Sequence, residues 1–92
     1  MAGRRYLTKP TPAKFLEEFM EFYNSEIADS DIPKITPEEC FVVWYNFTLA
    51  NAKALVSTYR PDHMYYEMTY NAAENKLYID AYLKVKHSTK SF

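Results

Sequence analysis

A chain of 92 residues makes one domain with a modest core, and 48% hydrophobic with 17% aromatic residues excludes a disordered chain. The net charge of −1 gives no electrostatic case for nucleic acid, and the acidic residues are balanced by lysine and arginine, so the chain does not imitate DNA. Cys40 is the only cysteine, which excludes a disulfide framework and points to a reducing cytosol.

Residues 1–10 read as a flexible basic arm. Arg4, Arg5 and Lys9 are either part of a frayed terminus or a contact for an acidic partner. The basic start is not followed by the apolar stretch of a secretory signal, and no run approaches the length of a membrane span. The domain proper is expected over 11–86. Thr11-Pro12 opens a helix as N-cap and first helical residue, running to about Ala28. Phe15, Leu16, Phe19, Phe22, Tyr23 and Ile27 recur at three- and four-residue spacing and form an apolar stripe. Asp29–Pro33 is a polar connector. It carries two carboxylates but lacks the glycine and closing glutamate of a calcium loop.

Thr36-Pro37-Glu38-Glu39 has the form of a capping box with proline at the first helical position. A helix through Thr36–Val56 therefore competes with a strand reading, and a single helical turn from Pro37 to about Cys40 reconciles the two. Phe41–Leu49 alternates with period two, its odd positions bulky and apolar. Ala50-Asn51 makes a hairpin turn, and Ala52–Tyr59 returns. Arg60-Pro61-Asp62 turns again into Met64–Tyr70, and 71–75 turns into Lys76–Lys86. Gly3 is the only glycine, so any turn that needs positive φ must use Asn, Asp or another residue. Residues 87–92 are a polar tail ending in Phe92.

Hairpin geometry fixes the register. The predicted fold is α+β, with the N-terminal helix packed on one face of a four-stranded antiparallel meander. The apolar rows are Val43-Thr58-Met64-Leu83, Tyr45-Val56-Tyr66-Ala81, Phe47-Ala54-Met68-Ile79 and Leu49-Ala52-Tyr70-Leu77. The other face reads Trp44-Ser57-Tyr65-Tyr82, Asn46-Leu55-Glu67-Asp80 and Thr48-Lys53-Thr69-Tyr78. Phe15, Phe19, Phe22, Val43, Phe47, Val56, Met68 and Ile79 are expected between helix and sheet.

The polar-aromatic face holds the candidate binding residues Trp44, Lys53, Tyr65, Glu67, Tyr78, Asp80 and Tyr82. Tyrosine and tryptophan around a polar centre is the composition of binding hot spots, and also of a plain solvent-facing sheet. Glu67 and Asp80 should lie directly opposite, an unfavourable pair that Lys53 would balance from the diagonal. The pair serves either as a general acid and base or as two solvated carboxylates. Cys40 precedes a core strand with no histidine near it in sequence and reads as an inert buried thiol. His63 and His87 show no metal-ligand spacing, and no glycine-rich loop awaits a phosphate or cofactor.

The stretches Val42-Val43-Trp44, Thr48–Thr58, Tyr65–Asn71 and Tyr78–Tyr82 resemble a family of short proteins from phages and prophages of Gram-positive bacteria, carried as a domain of unknown function. They cover about half of the chain, in the same order. Family members often have glycine where this chain has His63 and Ala72. The resemblance implies a phage accessory protein in the bacterial host cytosol and supplies no catalytic residue. Three functions compete: a non-enzymatic protein that binds a host protein or itself, as an inhibitor or anti-defence factor; a small-molecule binder such as a sponge for a nucleotide signal; and a hydrolase using Glu67 and Asp80. The first is preferred, with no enzyme activity, cofactor, membrane or nucleic acid involved. Open edges at the first and fourth strands favour a homo-oligomer.

Overall fold

The computed structural model describes residues 10–47, 51–86 and 88–91. The expectations for the arm at 1–9, the faces of Thr48 and Leu49, the turn residue Ala50, and His87 and Phe92 in the tail lie outside the described residues. One helix precedes a four-stranded antiparallel sheet in the order β1-β2-β3-β4, the expected α+β meander.

Helix α1 spans Pro12–Phe22 and continues into a π-helical turn, Tyr23–Ile27. Thr11 caps it, its hydroxyl accepting from the Lys14 N–H at 3.2 Å, and Pro12 occupies the first helical position, where its missing N–H costs nothing. Phe15, Phe19 and Tyr23 are buried. The side chain of Asn24 clamps the connector to the helix, its amide oxygen accepting from Ile35 N–H (2.7 Å) and its NH₂ donating to Ile35 C=O (3.3 Å). Pro37–Glu39 is one 3₁₀ turn with the expected capping box at Thr36 and Glu39. Strands follow at Cys40–Phe47 (β1), Asn51–Thr58 (β2), Met64–Asn71 (β3) and Lys76–Leu83 (β4). Positive φ falls on His63 (60°) at the second turn and on Asn75 (53°) at the third. Among the described residues Asn75 and His63 thus take left-handed positions that glycine would otherwise fill.

The register of β2, β3 and β4 is the expected one: Val56-Tyr66-Ala81, Ala54-Met68-Ile79 and Ala52-Tyr70-Leu77 form rows on the inner face. β1 departs from expectation. Val42 pairs with Val56, Trp44 with Leu55 and Tyr45 with Ala54, leaving Val43 as a bulge. A bulged residue has no partner and reverses the alternation on either side of it. Cys40 and Val42 therefore point inward before the bulge and Tyr45 after it, while Phe41, Trp44 and Asn46 share the outer face. Asn51 opens β2 opposite Asn71 instead of sitting in the turn.

The core holds Phe15, Phe19, Tyr23, Ile35, Cys40, Val56, Tyr66, Met68 and Tyr70 with the small Ala52 and Ala54, which let the helix approach the sheet. α1 lies across the sheet from Tyr45 on β1, where Phe15 meets the ring edge-on at 5.9 Å, to Tyr66 on β3, where Phe19 packs at 4.8 Å. Two residues expected in the core are not there. Val43 is 49% exposed because the bulge expels it, and Phe47 is 56% exposed because it lies beyond Tyr45, where Phe15 and Pro10 supply the cover. Phe22 and Ile79 are half-buried at the margin of the core, since α1 stops short of β4.

Candidate functional site

Three rows cross all four strands on the outer face, and Asn51-Asn71-Lys76 borders them. Phe41-Ser57-Tyr65-Tyr82 is aromatic, Trp44-Leu55-Glu67-Asp80 is mixed, and Asn46-Lys53-Thr69-Tyr78 is polar. Tyr65 and Tyr82, opposite each other on β3 and β4, stack with centroids 5.4 Å apart and planes 21° from parallel. Glu67 and Asp80 face each other as expected. Lys53 balances the pair from the diagonal, its Nζ 3.1 Å from Glu67 Oε2. Asp80 is exposed and has no ion-pair partner among the described residues. The Tyr82 hydroxyl reaches toward Glu67 Oε1 at 3.5 Å, too long to be a strong bond. The Glu67 charge beside it raises the Tyr82 phenol above its ordinary range, so this hydroxyl stays a donor.

The structure thus brings Lys53, Tyr65, Glu67, Asp80 and Tyr82 together. Trp44 and Tyr78 stand apart from them. The bulge places Trp44, 42% exposed, in the Glu67 row opposite Leu55, where Ser57 and the row of tyrosines were expected. Tyr78 turns toward the third turn, its hydroxyl donating to Glu74, which raises the phenol above its usual range. Two aromatic residues escaped the sequence reading. Phe41, the first of the apolar odd positions of the predicted strand, extends the tyrosine row on the outer face, and Tyr59 packs on its ring at 4.7 Å. The only signal was a pair of consecutive valines, Val42-Val43, and period-two counting runs straight through it.

A second feature lies on the opposite side of the sheet. A groove of about 830 Å³ opens between the end of α1 and the β3–β4 margin, lined by Phe22, Ile27, Ile32, Pro61, Met64 and Ala81. Arg60 lies at its base with all five N–H groups engaged. Nε and one terminal nitrogen hold the Glu39 carboxylate (3.2 and 3.0 Å). The remaining donors go to Tyr23 Oη (3.1 Å), Pro33 C=O (2.7 Å) and Lys34 C=O (2.9 Å). A guanidinium so occupied is a staple between turn, connector and helix, and it has no donor left for a ligand.

Removing this staple leaves two carbonyls, a phenol and a carboxylate to find water. Arg60→Ala is therefore expected to lower stability by about 2 kcal/mol, a fall in Tm of roughly 10 °C by calorimetry. The hydrogen bond from Arg60, then that from the Thr36 backbone, hold the Glu39 carboxyl below the usual carboxylate range. The unfolded chain takes up this proton first as pH falls. The contribution is thus fully present above the ordinary glutamate range and is lost as pH drops through the depressed folded value. Thermal melts at acid pH should show this limb in the parent chain and lack it in Glu39→Gln.

Cys40 is buried, with its Sγ 3.8 Å from Thr36 C=O and 3.9 Å from Pro37 C=O. Burial pushes the thiol up, and Glu39 and Glu38 add to the rise. Thiolate is the reactive form, so Cys40 should react with a maleimide at least about tenfold more slowly in the folded chain than in urea.

Among the described residues no helix is long and apolar enough to cross a membrane. None of the curated proteins and none of the solved structures compared matches the chain. A family model matches over residues 13–91, which takes in α1 from its second residue, the whole sheet and both surfaces just described. On that match the chain belongs to a family of unknown function (DUF6275).

Proposed function

We propose that this chain is a non-enzymatic binding protein that captures a protein partner on the outer face of its sheet. The observation that carries the reading is the aromatic row Phe41-Tyr65-Tyr82 flanked by the Lys53-Glu67-Asp80 charges, on side chains held by four hydrogen-bonded strands. Tyrosines fixed on a rigid sheet lose little freedom on binding and offer both apolar area and a hydroxyl. The half-exposed rings are the kind of anchor that a partner can fully desolvate.

Charge favours a protein partner over a nucleotide. Lys53, the cation a phosphate would need, is held by Glu67, and Asp80 adds negative charge beside it. Glu67 and Asp80 lie on an open strand surface, which gives an acid–base pair no means of excluding water. In this reading the protein is a phage or prophage accessory factor that acts in the cytosol of a Gram-positive host and inhibits or diverts a host protein. The order of motifs along the strands supports that setting. Affinity capture from such a lysate, run with the parent chain and with Tyr65→Ala side by side, tests it. A host protein held by the parent and lost by the variant is expected. Mass spectrometry that finds a nucleotide as the bound species would overturn it.

A further inference from the structure

The two edges of the sheet are not equivalent. β1 carries the bulge at Val43, and bulges twist an edge away from pairing. β4 runs without irregularity from Lys76 to Leu83 opposite Asn71 to Met64. The Lys84 N–H continues this ladder by donating to His63 C=O at 2.8 Å. In an antiparallel pair, alternate residues point their backbone groups toward the partner and away from it. The bond from Lys84 assigns the even-numbered residues of β4 to β3. Leu77, Ile79, Ala81 and Leu83 therefore turn their N–H and C=O groups to the open side. Toward the end of this edge two apolar side chains are also uncovered: Leu83 is 58% and Val85 86% exposed.

We propose that a second copy of this chain occupies this edge, β4 against β4, antiparallel about a twofold axis through Tyr82. Two four-stranded sheets become one of eight. Like faces meet only if the numbers of opposed residues sum to an even value, so few registers are open. Pairing about Tyr82 sets Asp80 opposite Lys84 of the partner subunit, twice by symmetry. Neither residue has an ion-pair partner within its own chain among the described residues. Ala81 then faces Leu83 of the partner subunit, and Ile79 faces Val85 of the partner subunit.

The registers centred on the three residues before Tyr82 are worse, and centring on Leu83, which sets Asp80 opposite Lys86 of the partner subunit, shortens the ladder. Pairing about Asp80 opposes two carboxylates and sets Lys76 against a lysine. Pairing about Ala81 also opposes two lysines, Lys76 and Lys86. Like charges directly opposite are unfavourable. Pairing about Ile79 sets Leu83 against Asn75 in the turn and leaves Val85 beyond the ladder. A twofold axis perpendicular to the sheet keeps both helices on one side. The Tyr65–Tyr82 stacks of the two copies then adjoin at the axis, and the outer faces merge into one aromatic surface.

Sedimentation equilibrium on the full chain tests this. The Ala81 N–H points to the open edge, so Ala81→Pro removes no bond to β3 and blocks the new ladder. It should be monomeric with the parent's circular dichroism spectrum. Asp80→Lys and Lys84→Asp should each weaken the dimer by about tenfold or more, and the double exchange should restore it to within about threefold of the parent. If Ala81→Pro fails to fold, this charge exchange on exposed side chains decides the matter by itself. A parent chain that is monomeric at about 100 μM, an Ala81→Pro variant that folds and dimerises like the parent, or a double exchange that does not rescue would each overturn the proposal.

Discussion

Tyr66→Ala is expected to cost about 4 kcal/mol, the range for removing a large ring from a packed core, and to lower Tm by roughly 20 °C. Tyr66 is 1% exposed. Its ring is enclosed by Phe19 at 4.8 Å and by Phe22 and Tyr23 at 6.4 Å each, so one truncation removes the centre of a four-ring cluster. A small domain has only about 5–15 kcal/mol in total, and much of that would be gone. Chemical denaturation of parent and variant reads the difference directly; a loss below about 1 kcal/mol would mean that the helix does not rest on this ring. The same burial raises the Tyr66 phenol from 10.0 to about 12, with the Asp62 charge adding to it. The unfolded chain loses this proton first as pH rises. The stability it represents is full below about pH 10 and is lost as pH climbs through about 12. Tyr66→Phe keeps the ring and removes the ionisation, so its stability should fall less across that window.

The neighbouring residue should behave in the opposite way. Tyr65→Ala and Tyr82→Ala are expected to leave the fold intact, within about 1 kcal/mol, because both rings lie on the face away from α1. Each should weaken partner capture by about 30-fold or more, the effect of losing an aromatic anchor worth about 2 kcal/mol. Tyr65 is the cleaner test, since it sits one strand in from the β4 edge. Lys53→Ala acts by another route. It leaves Glu67 facing Asp80 without its cation, and should weaken binding with a small loss of stability, since the pair is part-exposed and screened. Calorimetric titration of the captured partner, together with melts of each variant, separates these outcomes. Tyr65 and Tyr82 variants that unfold would show the rings to be core. Variants that fold and bind as the parent does would show the face to be plain surface.

The helix, its cap at Thr11-Pro12, the turn at Pro37–Glu39 and the pairing of β2, β3 and β4 were all legible in the sequence. Each rests on local chemistry. Proline and threonine select a helix start, three- and four-residue spacing gives a stripe, and short turns leave little freedom of register. The opposition of Glu67 and Asp80 and the diagonal reach of Lys53 followed from that register alone. β1 was a different case. Its alternation survives a bulge because Val42 and Val43 are both apolar, so nothing in the pattern marks where the face changes. Only the tertiary fit, with Cys40 and Val42 inside before Val43 and Tyr45 inside after it, decided that Phe41 and Trp44 share the outer face and that Phe47 stays exposed.

Arg60 makes the same point at longer range. In sequence it opens a turn. In the fold its five donors meet Tyr23, Pro33, Lys34 and Glu39, residues between 21 and 37 positions away. The amino-acid pattern determines which segments become helix and strand, because that choice is made by neighbours a few residues apart. Where a bulge falls, which carbonyls a guanidinium gathers and which sheet edge stays open depend on how the elements close on one another, and no local periodicity encodes that.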